Sequence, residues 1–294
     1  MKQFVVVTGG AGFIGSNLIS RLLKETKYNL ISLDNYFSGS EKNHIAHKRV
    51  KYFKCDTRNI AQKLDKFKNS IKCIYHFGEF SRIAQSFKYS EEVINSNIHG
   101  TISVIEFCRT NAIKIIYSAT SSAFGNKFKD QNLSPYAFTK TQNLNIILNY
   151  HDWFNLQFEI IYFYNVYGSK QIGNKKMGAV IGIFEDYKRK DIPLPIVRPG
   201  TQKRYFTHID DTIDTCILAL LKNKNSHYSI RSKNAYTIFQ IAKMFKSDYK
   251  LIPERPGERY IPSFIKKVRE KKVIEKIGKV DLRDYIKNFV KILN

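Results

Sequence analysis

The sequence is poor in cysteine and lacks the spacings that hold metals or build disulfide frameworks. Its four cysteines, Cys55, Cys73, Cys108 and Cys216, are widely separated, with no CxxC pair and no histidine at metal-ligand spacing. These absences exclude a disulfide-rich or cysteine-ligated metal protein. We therefore expect no metal site, and we expect reduced, buried thiols in a cytosolic protein.

Long apolar runs are also missing. No stretch approaches the length of a membrane-spanning helix, and the run before Thr8 is too short for the core of a signal peptide. We expect a soluble, cytoplasmic protein without a membrane partner. At 294 residues, the chain is long enough for one large domain or for two lobes that share a core.

Acidic residues are few compared with basic ones. The chain has 49 lysines and arginines against 25 aspartates and glutamates, a formal net charge of +24. Such an excess suits a nucleic-acid partner, but the lysines are spread along the chain, and acidic residues interrupt the one dense basic stretch at 264–279. We therefore expect no nucleic-acid partner. The charge still favours an anionic substrate.

Short apolar runs alternate with longer amphipathic stretches, which is the pattern of repeated βαβ units. The predicted strands lie at 4–7, 29–33, 50–55, 73–77, 114–119 and 158–163. Helical patterns between them include 17–24, 91–110 and 137–150. This pattern predicts an α/β fold with a Rossmann-type, doubly wound parallel sheet over residues 1–166. Prolines then become frequent, and residues 167–294 are predicted to form a smaller, mixed α/β lobe that partly returns to the sheet.

Glycines are concentrated where the first predicted strand meets the first predicted helix. Residues 8–17 read TGGAGFIGSN, which matches GxGxxG and also the wider GxxGxxG spacing. Glycine permits an unusual backbone turn, lets the backbone approach a pyrophosphate, and allows tight packing of the helix on the strand. The amino end of the helix then offers free N–H groups to phosphate. The position of this motif predicts a dinucleotide-binding turn.

Asp34 ends the second predicted strand, about 20 residues beyond this turn, where a carboxylate binds the hydroxyls of the adenosine ribose. No lysine or arginine lies between Asp34 and Glu41. A 2′-phosphate therefore has no obvious partner, and the sequence favours NAD over NADP as the cofactor.

Tyr136 and Lys140 lie four residues apart in SPYAFTK, on one face of a predicted helix. The ammonium can favour the phenolate form of the tyrosine. Residues 120–125, TSSAFG, follow the strand KIIYSA and place hydroxyl groups at its carboxyl end, where open α/β sheets bind ligands. A hydroxyl, a phenol and an ammonium beside a nicotinamide form a site that takes a proton from an alcohol as hydride leaves its carbon.

With these motifs, the chain resembles the extended short-chain dehydrogenase/reductase superfamily, in particular its nucleotide-sugar epimerases and dehydratases. The matching segments follow the order of that family and cover most of the chain: TGGAGFIGSN, LDNYFSG, the lone Asp56, YHFGEFSR, NSNIHGT, SSAFG, YAFTK, FYNVYG and KRYFTHIDD.

The resemblance implies a role for each matching residue. Thr120 is expected to be the catalytic hydroxyl, Tyr136 the base, and Lys140 its electrostatic partner and a ligand of the nicotinamide ribose. Asp56 is expected to reach the adenine. The full set of expected cofactor residues is Gly9, Gly12, Phe13, Ile14, Asp34, Asn35, Ser38, Gly39, Asp56, Thr57, Phe77, Gly78, Tyr136 and Lys140. The lobe at 167–294 is expected to hold a nucleotide sugar. The residues expected to contact this substrate are Glu79, Ser81, Arg82, Ser121, Ser122, Asn165, Arg204 and Arg259.

The implied chemistry begins with oxidation of a sugar at C4. The product is a 4-keto sugar, and its fate defines the enzyme. In a 4-epimerase, hydride returns to the opposite face of C4. In a net 4-dehydrogenase the keto sugar is released early, and in a 4,6-dehydratase it loses water across C5 and C6. Dehydratases of this family usually have Asp-Glu directly after the catalytic threonine, whereas this chain has Ser121 and Ser122. We expect an epimerase acting on an NDP-hexose or NDP-heptose, with net oxidation as the alternative. Glu79 is either an acid near the cofactor or the partner of Arg82 or Lys88 in a salt bridge.

Two other interpretations belong to different classes of protein: a non-catalytic NAD-binding sensor or scaffold, and a nucleic-acid-binding protein that uses the same fold. A non-catalytic NAD-binding sensor or scaffold is expected to lose the tyrosine or the lysine, but this chain retains both.

His208 is expected to fill a structural position rather than donate protons. The nucleotide base and the sugar stay open at this point. Members of the family usually dimerise through two helices each, which here are 91–110 and 137–150.

Asp34 generates the first prediction. NAD should bind far more tightly than NADP, because the extra phosphate would meet a carboxylate with no compensating cation. Calorimetric titration of both cofactors measures the difference, and equal affinities would contradict the assignment.

Overall fold

The apolar runs of the first half of the chain form neighbouring strands of one large sheet. The computed structural model describes residues 3–121, 131–174, 177–262 and 265–293. The large sheet contains β1 (Phe4–Thr8), β2 (Asn29–Asp34), β3 (Val50–Lys54), β4 (Ile71–His76), β5 (Lys114–Thr120), β6 (Phe158–Phe163), β11 (His227–Arg231) and β16 (Ile274–Ile277). The six strands predicted from the sequence all lie within two residues of these bounds.

All neighbouring strands of this sheet run parallel, in the order β3-β2-β1-β4-β5-β6-β11-β16. The chain winds outward from β1 in one direction and from β4 in the other. Loops leaving the carboxyl ends of β1 and β4 therefore diverge and leave a crevice between them. This confirms the predicted doubly wound α/β fold.

Helices cover both faces of the large sheet. In the first half of the chain they are α1 (Phe13–Glu25), α2 (Ile60–Leu64), α3 (Ile83–Lys88), α4 (Ser90–Val93), α5 (Gly100–Thr110) and α6 (Pro135–Phe154). A π-helical turn, Ile94–His99, joins α4 to α5. The later helices are α7 (Val180–Arg189), α8 (Ile209–Leu221), α9 (Ile238–Met244) and α10 (Leu282–Leu293).

Successive side chains of β1 pack on opposite faces of the large sheet. Val6 packs into the cluster that contains residues of α5 and α6, whereas Val5 and Val7 pack with residues of α1 and α8. Because successive side chains of a strand point to opposite faces, one apolar run supplies both layers of the core.

Much of the chain beyond residue 166 forms a smaller lobe around a third apolar cluster, which includes Phe184, Leu194, Phe206, Ile241 and Ile286. Its short strands are β7 (Val166–Tyr167), β8 (Leu194–Val197), β9 (Lys203–Tyr205), β10 (Thr207–His208), β12 (Ala235–Thr237) and β13 (Tyr249–Ile252). They pair two by two, in both parallel and antiparallel fashion. A further pair, β14 (Lys267–Val268) and β15 (Lys271–Lys272), packs through Val268 on the large-sheet cluster that contains residues of α5 and α6. Two strands of this part of the chain, β11 and β16, return to the large sheet.

The four cysteines are free and buried. No helix among the described residues is long and apolar enough to cross a membrane.

Candidate active site

A cavity of about 590 Å³ lies along the carboxyl edge of the large sheet and extends under the smaller lobe. Its wall is formed by the loops after β1, β2, β4 and β5 on one side and by residues of the smaller lobe on the other. Predicted cofactor residues on this wall are Gly9, Gly12, Phe13, Ile14, Asp34, Asn35, Ser38, Asp56, Thr57, Phe77, Gly78, Tyr136 and Lys140.

The glycine turn is shaped for close approach. Gly9 has a φ of +68°, in the left-handed region, and a Cβ there would lie 2.8 Å from the carbonyl carbon of Phe77. A Cβ on Gly15 would lie 2.3 Å from the carbonyl oxygen of Gly9, so α1 packs directly on the turn. Gly12, immediately before α1, has no side chain to cap the helix, and the first turn of α1 is open to the cavity. This geometry suits a pyrophosphate.

Asp34 stands at the end of β2 with its carboxylate fixed by the backbone. Its Oδ2 accepts a hydrogen bond from the Ala11 N–H at 2.9 Å, and its Oδ1 accepts one from the Tyr36 N–H at 2.8 Å. Burial raises the pKa of Asp34, although these two bonds oppose the shift. Gly39 lies directly behind the carboxylate, since a Cβ there would be 2.8 Å from Oδ1. The carboxylate is therefore held at the cavity wall for a ribose hydroxyl.

Asp56 follows β3 and begins a short 3₁₀ helix. Its carboxylate accepts a hydrogen bond from the Arg58 N–H at 2.9 Å and also pairs with the Arg58 guanidinium. Thr57 packs against the start of α5, where a Cβ on Gly100 would lie 2.3 Å from its hydroxyl oxygen. Both residues reach the cavity wall beyond Asp34.

Local sequence fixes the helix that carries Tyr136 and Lys140. Ser134 caps α6 by accepting a hydrogen bond from the Ala137 N–H at 3.1 Å, and Pro135 occupies the first helical position. Both residue types favour a helix start. Tyr136 therefore lies in the first turn and Lys140 one turn later, and both reach the cavity wall with Thr120 at the end of β5.

Glu79 is the unexpected member of this site. Its carboxylate pairs with the ammonium of Lys140, and the two side chains are only 2% and 5% exposed. Of the two alternatives left open for Glu79, the acid near the cofactor residues is the one observed, and the salt bridge with Arg82 or Lys88 is not. The Oε1 atom of Glu79 also accepts hydrogen bonds from the Tyr117 hydroxyl at 3.1 Å, the Asn143 amide at 2.8 Å and the Thr101 hydroxyl at 3.2 Å.

A chain of buried hydrogen bonds joins this acid to the glycine turn. His76 Nε2 lies 2.9 Å from the Thr101 hydroxyl, and His76 Nδ1 lies 2.8 Å from the Thr8 hydroxyl. Because Thr101 gives its proton to Glu79, we assign the ring proton to Nε2. Burial lowers the pKa of His76 to about 4, so the ring is neutral at ordinary pH.

Most of the predicted substrate residues also line this cavity. Those on its wall are Glu79, Ser81, Arg82, Ser121, Asn165 and Arg204. The Arg82 Nε donates a hydrogen bond to the Met177 carbonyl at 2.6 Å, and Arg204 pairs with Glu258 at 3.3 Å. Arg259 lies outside the wall but reaches the carbonyl of Ser121 at 3.4 Å. Ser122 lies outside the described residues.

His208, in contrast, has a structural position. Its Nδ1 accepts a hydrogen bond from the Asp210 N–H at 3.3 Å and caps α8, while its ring packs against Tyr167 and Tyr285.

Comparison with known proteins identifies the family. A sequence model of the NAD dependent epimerase/dehydratase family matches residues 5–231. The chain belongs to this family.

Individual relatives in the family are distant. A UDP-glucuronic acid decarboxylase 3 from Arabidopsis thaliana is 26% identical over 82% of this chain and 73% of its own length. A putative UDP-glucose 4-epimerase from Methanocaldococcus jannaschii is 26% identical over 97% of both chains. The crystal structure of the UDP-glucose 4-epimerase from Thermotoga maritima, with UDP-glucose, superposes with a TM-score of 0.85 at 22% identity, covering 98% of both chains. This structural similarity to the Thermotoga maritima protein shows that the two chains share a fold.

NAD, the cofactor of this family, fits the residues of the cavity. The turn at Gly9 packs so closely on the backbone of Phe77 that a Cβ would clash there, and Asp34 presents a fixed carboxylate at the cavity wall. The glycine-rich turn, the carboxylate and the Tyr136–Lys140 face lie along one continuous wall.

Several wall residues were not predicted from the sequence. Gln202, Arg255 and Glu258 line the cavity from the smaller lobe. The proline-flanked segment that carries Arg255 and Glu258 gave the only signal. The frequent prolines of this part of the chain predicted a smaller lobe but not which of its residues face the cavity.

The geometry around Tyr136 generates the second prediction. Tyr136→Phe should reduce turnover by roughly 10²–10⁴-fold, because only the proton acceptor is removed. The affinity for NAD, measured by calorimetry, should stay close to that of the unmodified protein. Tyr150→Phe is the matched control, since Tyr150 lies on the same helix but bonds to Glu106 at 2.7 Å. Near-normal turnover of the Tyr136 variant would remove Tyr136 from the role of base.

Proposed function

We propose that this protein is an NAD-dependent nucleotide-sugar 4-epimerase that acts by oxidising an NDP-hexose or NDP-heptose at C4. The observation that carries the proposal is the meeting of Thr120, Tyr136 and Lys140 on one cavity wall with the glycine turn. Family membership supports NAD chemistry, and the arginines of the smaller lobe suit an anionic substrate.

In this mechanism the protein's own groups handle the proton. NAD, when bound, supplies the acceptor and later the donor of hydride. Tyr136 takes the proton of the C4 hydroxyl as a general base and gives it back when the ketone is reduced. Thr120 orients the C4 oxygen by a hydrogen bond, and Lys140 supplies positive charge beside the phenol. The cavity keeps the sugar away from bulk water.

Binding of the diphosphate is assigned to the smaller lobe. Asn165, Arg204 and Arg259 are proposed to contact it, with Arg82 nearer the sugar. Arg204 already pairs with Glu258, which holds the guanidinium at the cavity wall. A guanidinium with remaining donors can still bind phosphate oxygens in a bidentate manner.

Dehydration is a poorer fit than epimerisation. It needs an acid for the departing hydroxyl, and Ser121 occupies one of the positions where dehydratases of the family carry an acid. Glu79 is a poor substitute, because Oε1 accepts three hydrogen bonds and Oε2 pairs with Lys140. Net C4 oxidation with early release stays the second candidate.

Decarboxylation is another reaction that can follow oxidation of the sugar at C4. It is suggested by the distant relative from Arabidopsis thaliana, whose name describes a UDP-glucuronic acid decarboxylase. A 4-keto uronic acid is a β-keto acid, so C4 oxidation alone prepares it to lose carbon dioxide. The first step at Tyr136 would then be the same.

Product mass generates the third prediction. After incubation with a panel of nucleotide sugars, we expect a product of unchanged mass and no net NADH, because the hydride returns to C4. Mass spectrometry and NADH absorbance measure both quantities, and chromatographic separation of the product from the substrate identifies the epimer. A product lighter by two hydrogens would indicate net oxidation, and a product lighter by carbon dioxide would indicate decarboxylation. Loss of water would contradict the role given to Ser121 and Glu79. Binding of NAD without any product would favour a sensor.

A homodimer is also proposed, through the helices α4–α5 and α6. Three aromatic side chains of α6 are prominent at its surface: Phe138, Trp153 and Phe154 are 40%, 64% and 50% exposed. Covering them with a second copy would remove apolar surface from water. Free, buried thiols suit the cytoplasmic location that the sequence predicts, and this location stays a prediction.

The proposed interface generates the fourth prediction. The wild-type protein should sediment as a dimer, and Phe138→Glu should shift it to monomer, because a carboxylate would be desolvated in the interface. Leu221→Glu is the control, since Leu221 is 70% exposed at the end of α8 on the opposite face of the sheet. A wild-type monomer would contradict the proposal.

A further inference from the structure

The ion pair between Glu79 and Lys140 uses every hydrogen-bonding group that the two charges offer. Oε1 of Glu79 accepts hydrogen bonds from Tyr117, Asn143 and Thr101, and Oε2 faces the ammonium. The ammonium donates to Glu79, to the Ser118 carbonyl, and to the Tyr117 hydroxyl at 3.3 Å. Three donors are thus matched by three acceptors.

The groups that hold the ammonium of Lys140 come from the large sheet and one of its loops, and not from the helix that carries the lysine. Glu79 comes from the loop after β4, whereas Tyr117 and Ser118 belong to β5. Lys140 is carried by α6, one helical turn beyond Tyr136. The positive charge is therefore fixed between a strand and a loop, and a carboxylate directly beside it cancels part of the field that it exerts on the phenol.

We propose that Glu79 is a positioning residue that clamps Lys140 and, by neutralising its charge, sets the pH at which Tyr136 becomes a phenolate. The inference rests on the proposed function, in which Tyr136 is the base. Glu79 is not assigned to the substrate, because its side chain is buried and all its acceptor positions are occupied.

The direction of the effect follows from the charges around the phenol. Lys140 and Arg82 are cationic and favour the phenolate, whereas Glu79 opposes it. Among the described residues, His76 and Tyr117 also contact this cluster, and both are uncharged. Burial keeps His76 neutral, with a pKa of about 4, and raises the pKa of Tyr117 well above its ordinary value. Removal of the Glu79 charge should therefore let Tyr136 ionise at lower pH.

The test is Glu79→Gln, which removes the charge and nearly keeps the shape. The rise of kcat/KM with pH should move to lower pH by about one unit. The near-ultraviolet absorbance of phenolate, measured on the protein without substrate and corrected with Tyr136→Phe, should move by a similar amount. Glu91→Gln, which removes an exposed charge on α4, is the control and should move neither curve.

A second variant covers the case in which Glu79→Gln does not fold. Glu79→Asp keeps the charge but withdraws it from Lys140 by one methylene, so a smaller shift in the same direction is expected.

Unchanged curves for both Glu79 variants, or a shift to higher pH, would overturn the inference. If Tyr136→Phe keeps its turnover while the Glu79 variants shift the tyrosine titration, the proposed function fails and the electrostatic inference survives.

Discussion

The contact between the ends of β1 and β4 is the constraint on which the site depends. The Thr8 hydroxyl accepts hydrogen bonds from the N–H groups of Phe77 at 3.1 Å and Gly78 at 2.9 Å, while Gly9 packs against the same peptide. This contact brings two loops together before they diverge to opposite sides of the sheet. The cofactor turn and the segment that carries Glu79 are consequently parts of one rigid junction. Substituting Gly9 would disturb both at once.

The buried polar network extends this junction to the chemistry. Thr8, His76, Thr101 and Glu79 form a continuous path of hydrogen bonds from the glycine turn to Lys140. In a medium of low polarity such a network is rigid when all its members are bonded. The position of the lysine is thus linked to the same strands that hold the cofactor turn.

Local signals predicted the parts of the site that depend on neighbouring residues. The glycine turn, the aspartate at the end of β2 and the Tyr136–Lys140 pair on one helix face each follow from a few consecutive residues and from backbone chemistry. The partner of Glu79 could not be found in this way, because Lys140 is 61 positions away and the periodicity of a strand or helix does not encode such pairs. The return of β11 and β16 to the sheet is predicted only in outline, since a single short apolar run does not reveal its neighbour.

The insertion of β11 between β6 and β16 has a mechanical consequence. The chain leaves the sheet after β6, builds much of the smaller lobe, returns as β11, leaves again, and returns as β16. Pulling the smaller lobe away would require breaking the ladder between β6 and β11, so the two parts should unfold cooperatively. Any opening of the cavity is then confined to bending of the loops that cross between them. The width of the cavity is in this sense set by the sheet itself.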